Sequence, residues 1–183
     1  MNKIVYYTDG GCSGNPGPGG FGVIQLSRTY SQTMGEYIER LSLPLAYGEW
    51  CNSTTNNREE LKAVIYALNL AAEDLSYQYE IYTDSAYVVR ICNEWINMWA
   101  KNNWIRANGK PIENLDLIKE LYNLLNIEFF MVSIIKCKGH NNILENELAD
   151  AVASANMDKF DRLVDKNHIW VDCNPFIDIL INL

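Results

Sequence analysis

The chain has few of the features that would place a protein outside the cell or on a membrane. Its 183 residues include five cysteines, at 12, 51, 92, 137 and 173, an odd number with no C-x-x-C pair. That spacing argues against both a zinc site and a disulfide framework. No apolar run reaches the length of a membrane span. The apolar stretch at residues 4–7 is too short for the core of a secretory signal. The expectation is therefore a cytoplasmic protein with no membrane association. Positive charge is also scarce: 15 Lys and Arg stand against 23 Asp and Glu, for a formal net charge of −8. Taken alone, that deficit argues against nucleic-acid binding, which normally leaves a basic footprint. Dinucleotide-binding and P-loop patterns are missing, so a small-molecule α/β enzyme finds no support. Internal repeats and low-complexity stretches are missing too.

What is present suits a folded domain. Hydrophobic residues make up 48% of the chain and charged residues 21%, enough for a sizeable core. Residues 4–8 read as a strand running into a glycine-rich loop, 9–20. Residues 21–26 read as a second strand and 45–51 as a third, while 28–43 show no clean period. Leu61, Val64, Ile65, Leu68, Ala72 and Leu75 mark a helix over 57–75. Asn57 is its expected N-cap, with Glu60 three residues on. A strand over 80–83, helices over 85–92 and 94–100, and a loop over 101–111 follow. A helix carrying Leu115, Ile118, Leu121 and Leu125, a strand over 127–136 and a helix carrying Leu144, Leu148 and Val152 complete the core. This order implies an α/β fold, a mixed sheet with helices packed on it.

Chemistry in such folds gathers at the carboxyl ends of strands. Asp9 follows the first strand and Asp84 the fourth. Glu60 lies in the first turn of the helix between them. Asp150 lies in the last core helix, off its apolar stripe. Each has an ordinary alternative: a turn residue, a capping partner of Asn57, a cap for the helix at Ser85, a solvated helix acid. Together they are the hard oxygen ligands that Mg²⁺ prefers, and if they converged they would repel one another without cations.

Four segments carry a resemblance. They are Tyr7-Thr8-Asp9-Gly10-Gly11-Cys12 with Gly14-Asn15-Pro16-Gly17, then Thr55-Asn56-Asn57-Arg58-Glu59-Glu60-Leu61, then Tyr82-Thr83-Asp84-Ser85, and Lys138-Gly139-His140 with Glu145-Asn146-Glu147 and Asp150. In this order and spacing the chain resembles ribonuclease H of the type 1 branch, in the bacterial form with a basic protrusion. The resemblance covers residues 1–156, with an expansion near 28–44. It implies a five-stranded mixed sheet of order 3-2-1-4-5 flanked by helices, with a C-terminal extension at 157–183. It implies an endonuclease that hydrolyses the RNA strand of RNA/DNA hybrids and leaves 5′-phosphate and 3′-hydroxyl ends. Asp9, Glu60, Asp84 and Asp150 would hold two Mg²⁺ ions, with Mn²⁺ as a substitute, in a two-metal mechanism. His140 would be a loop histidine that shuttles protons or helps release product. Glu59, the neighbour of the matching position, is expected to face solvent. His168 has no motif around it.

The same resemblance assigns the substrate contacts. Gly11, Cys12, Asn15 and Asn56 would line the minor groove of the hybrid, and Thr55 would belong to a pocket for a DNA-strand phosphate. Ala86 stands where many relatives carry a longer polar residue, so that contact is lost. Trp95 would meet the deoxyribose of the DNA strand. Trp99 and Trp104 would belong to the protrusion, with packing between helices as their alternative. Residues 95–112 contain Lys101, Arg106 and Lys110 and no acid, a weak handle whose binding should depend strongly on salt. A related nuclease or resolvase, or a non-catalytic hybrid-binding module, are the competing readings. Residues 157–183 carry no recognised motif and are too apolar to hang in water, so they should pack back on the domain or dock a protein partner. The expected state is a monomer.

Overall fold

The computed structural model describes residues 3–31, 36–39, 45–139, 143–167 and 172–173. Three antiparallel strands come first: β1 (Lys3–Cys12), β2 (Gly17–Ser31) and β4 (Leu45–Thr54), with a short β3 (Glu36–Glu39) between the last two. Helix α1 (Asn56–Ala72) leads to β5 (Gln78–Thr83). A helical run follows, α2 (Ala86–Arg90) and α3 (Ile96–Lys101), joined by a π-helical turn over Ile91–Trp95. Then come α4 (Leu115–Leu125), β6 (Val132–Lys136), α5 (Leu144–Ala153), α6 (Met157–Asn167) and a two-residue β7 (Asp172–Cys173).

The sheet order is β6-β5-β1-β2-β4-β7, with β3 paired to β2. Its five principal strands, counted along the chain, give the expected 3-2-1-4-5. The stretch without a clean period is accounted for in part by the long β2 and by β3, where Ser31 of β2 pairs with Glu36 of β3. β7 adds a parallel edge against Leu45 and Ala46.

Alternation along β1 assigns its two faces. Tyr6 faces the larger core with Val64, Leu68, Ile81, Ile91, Ile118 and Leu121. Val5 and Tyr7 face the second core with Ile24, Leu148, Val152 and Phe160. Phe160 belongs to α6 and is 3% exposed, so the first part of the extension contributes to that core.

Several boundaries differ from expectation. The helix expected over 57–75 starts at Asn56 with Thr55 as N-cap and ends at Ala72. The capping box of Asn57 and Glu60 is therefore not formed. The last core strand starts at Val132, because Phe129 takes a left-handed backbone (φ 63) that no strand tolerates. The two helices expected over 85–100 form one continuous run. Its π turn admits one extra residue, and Ile91, Ile96 and Trp99 all stay on the buried side.

Candidate active site

Sheet register places the first pair of acids. β1 and β5 run parallel, with Thr8 opposite Thr83. Asp9 and Asp84 each follow one of these buried threonines, so they stand side by side where β5 ends. Ser85 caps α2 by accepting a bond from the Val88 amide at 3.4 Å, so Asp84 is not needed as a cap. Glu60 reaches the pair through a glycine. A Cβ on Gly10 would lie 2.3 Å from the carbonyl carbon of Glu59 and from the amide nitrogen of Glu60. Only glycine lets the start of α1 approach β1 so closely. Asp150 arrives likewise, since a Cβ on Gly22 would lie 2.2 Å from the Ala149 carbonyl oxygen of α5.

Asp9, Glu60 and Asp84 can each offer an oxygen within 4.8 Å of the others. Asp150 stands outside that tight set. It lines the same cleft of about 420 Å³, with Gly11, Cys12, Asn56 and Asn146. Burial, reinforced by the charges of Asp84 and Asp150, pushes the Asp9 carboxyl up to about 7. Burial, then Asp9 and Asp84, push Glu60 up to about 9, against the opposing pull of Lys136 and of a hydrogen bond with Thr83. Glu60 Oε2 is buried without a hydrogen-bond partner among the described residues. A group of hard oxygen donors that repel one another, one of them unpartnered, fits a divalent cation.

Beside the acids, the expected groove residues form a connected patch. The Cys12 amide donates to Asn56 Oδ1 at 2.8 Å, and the Asn56 amide donates to Asn15 Oδ1 at 3.4 Å. The Cys12 thiol reaches Asn56 Oδ1 at 3.1 Å. Thr55 is half-buried at the N-terminus of α1.

In the 95–112 region the tryptophans divide. Trp99 is 8% exposed and part of the larger core. Trp104 packs edge-on against Tyr122 with centroids 5.3 Å apart. Trp95 is half-buried, 5.5 Å from Trp99, and borders an apolar pocket with Tyr87, Met98 and Arg106. Lys101 and Lys110 are exposed, whereas Arg106 is bound to Glu113 at 3.2 Å. That pair reduces further an already weak positive handle.

One expectation fails outright. Glu59 does not face solvent: its side chain is 1% exposed. With its backbone at residues 59 and 60 packed on Gly10, α1 turns residue 59 toward β4. There it accepts the Thr54 hydroxyl at 2.6 Å and the Lys62 ammonium at 2.7 Å. His140 lies outside the described residues. Its neighbour Gly139 lies against Asp84, since a Cβ there would sit 2.4 Å from Asp84 Oδ2.

Two contributors to the site were not foreseen. Asn146, 3% exposed, accepts the Cys137 thiol at 3.3 Å and lines the cleft. Asn146 was visible only as part of a motif. Lys159, from α6, bonds Asp150 Oδ2 and also reaches Glu147 Oε2 at 2.9 Å. No sequence signal marks Lys159, which follows Asp150 by nine residues across a turn.

A sequence model of the family described as RNase H matches residues 1–158. A ribonuclease H of Erythrobacter litoralis is 42% identical over 155 residues, covering 84% of this chain and 95% of that protein. The chain belongs to the ribonuclease H family. A second ribonuclease H, from Paracidovorax citrulli, is 40% identical over 159 residues, covering 87% of this chain and 97% of that protein. Among solved structures, LC9-RNase H1, a type 1 RNase H with the type 2 active-site motif, superposes with a TM-score of 0.68 at 25% identity, covering 96% of this chain and 88% of that one. LC11-RNase H1, solved in complex with an RNA/DNA hybrid, shares the fold with a TM-score of 0.54 at 22% identity, covering 85% and 97%. Ribonucleases H depend on divalent metal, and the Asp9, Glu60 and Asp84 group can hold an ion.

Proposed function

We propose that this ribonuclease H hydrolyses the RNA strand of RNA/DNA hybrids, leaving 5′-phosphate and 3′-hydroxyl ends. The carrying observation is the convergence of Asp9, Glu60 and Asp84 in one cleft with Asp150, beside the linked Cys12, Asn15 and Asn56. Those four carboxylates hold two Mg²⁺ ions, for which Mn²⁺ can substitute. When bound, such ions activate a water toward phosphorus and stabilise the leaving 3′ oxygen. The orphaned Glu60 Oε2 and the raised Asp9 and Glu60 carboxyls support this reading, because loading the site must expel their protons.

The remaining roles follow the cleft outward. Gly11, Cys12, Asn15 and Asn56 face the minor groove, where 2′-hydroxyls distinguish the RNA strand. Thr55 and nearby amides take a phosphate of the DNA strand. Trp95 lies against deoxyribose, with Lys101, Arg106 and Lys110 giving diffuse attraction to phosphates. Burial of Trp99 and the packing of Trp104 favour a supporting role for those two. His140 moves a proton or assists product release. Residues 157–183 form an extension of the domain, a reading supported by Phe160 in the second core, with docking of a protein partner as the alternative. The chain acts as a monomer in the cytoplasm, and no helix among the described residues is long and apolar enough to cross a membrane.

Asp84→Asn tests the site. It keeps the shape of the side chain and should leave the fold intact while abolishing Mg²⁺-dependent cleavage of a labelled hybrid. Comparable cutting by that variant would sink the assignment.

A further inference from the structure

Lys159 reaches a cleft-lining acid, Asp150, from outside the motifs. It sits on α6, in the extension, and is 27% exposed. Its ammonium bonds Oδ2 of Asp150 and Oε2 of Glu147, both on α5. Its helix is held down independently by Phe160, 3% exposed in the second core. The ammonium is thus a cation delivered to the rim of the site by a packed helix. Asp150 lies outside the mutual cluster of Asp9, Glu60 and Asp84 but borders it through a side-chain hydrogen bond with Asp9.

We propose that Lys159 is a built-in competitor for the divalent ion, holding Asp150 in the metal-free enzyme and setting how tightly metal binds. This rests on Asp150 being a metal ligand. A carboxylate whose Oδ2 already serves an ammonium offers a weakened charge to an arriving dication. The ammonium also repels that dication at short range, where salt screens little because both groups are partly buried. By linkage, metal loading weakens the Lys159–Asp150 contact by the same factor that Lys159 weakens metal binding. A ribonuclease H with a lysine here needs more metal to fill its site than the same chain without one.

The test is Mn²⁺ binding to the full chain by titration calorimetry, without nucleic acid. Wild type, Lys159→Met, Lys159→Arg and Asp84→Asn are compared, with circular dichroism to confirm folding. Lys159→Met should bind Mn²⁺ about three- to tenfold more tightly, the size expected for removing one partly exposed charge. Lys159→Arg, which keeps the charge, should stay near wild type. Should Lys159→Met fail to fold, Lys159→Gln carries the same expectation. Unchanged or weaker binding in the charge-removing variant overturns the proposal, weaker binding because Lys159 would then be supporting the ligand. Asp84→Asn separates the two readings. If it binds Mn²⁺ as wild type does, the metal site itself is wrong. If it loses binding while Lys159→Met does not change, only the role of Lys159 falls.

Discussion

Replacing Asp9 with asparagine should stabilise the metal-free protein while destroying its activity. Burial and the neighbouring acids raise the Asp9 carboxyl from 3.8 to about 7. A folded-state value above the unfolded one means that the folded protein retains a proton the unfolded chain has released. Metal-free stability therefore falls as pH rises from about 4 to about 7, and the full penalty applies above that. Three units at about 1.4 kcal/mol each give about 4 kcal/mol. Part of this is repulsion shared with Asp84 and Asp150, so one substitution recovers about 2 kcal/mol. For a chain of this size that is a rise in Tm of about 4–8 °C. The assay is thermal unfolding in EDTA at pH 8 and at pH 4. The gain should appear at pH 8 and shrink to a small fraction of that at pH 4, where the folded wild type holds the proton and the unfolded chain still holds part of it. A lower Tm at pH 8, or the same gain at both values, would refute the electrostatic reasoning.

Three other outcomes follow from packing. Gly10→Ala puts a methyl 2.3 Å from the backbone of Glu59 and Glu60, so α1 must retreat. Urea unfolding should show a loss of about 1–3 kcal/mol, with cleavage falling further because Glu60 leaves Asp9. Phe160→Ala should cost about 3–5 kcal/mol in the same measurement, whereas a change below about 0.5 kcal/mol would detach the extension from the core. Glu59→Gln should cost about 1–3 kcal/mol by weakening the buried pairing with Lys62 and Thr54. A solvent-facing glutamate would give almost nothing, and that result would contradict the buried position.

The four acids were legible because each falls in a short motif at a strand or helix end, and the parallel register of β1 and β5 does the rest. Motif spacing could not tell Glu59 from Glu60 in direction. The packing of α1 on Gly10 decides which carboxylate turns toward β1 and which toward β4. The π turn and the late start of β6 at Val132 were hidden for a similar reason, since both depend on tertiary packing rather than on local period. Lys159 was invisible because its meaning comes from α6 folding back onto α5, a contact no pattern announces. The net charge of −8 also reads differently once four carboxylates are gathered in one cleft. It no longer argues against nucleic acid, because the proposed function gives those acids to the metal site and leaves the phosphate contacts to a small, weakly basic region.

The central claim is substrate identity, and one assay decides it. The wild-type chain is given Mg²⁺ and RNA/DNA hybrid, duplex RNA, duplex DNA and single-stranded RNA, each labelled on one strand at a time. Cleavage confined to the RNA strand of the hybrid, with 5′-phosphate ends, is the predicted result. Equal cutting of single-stranded RNA or of duplex DNA would contradict the account.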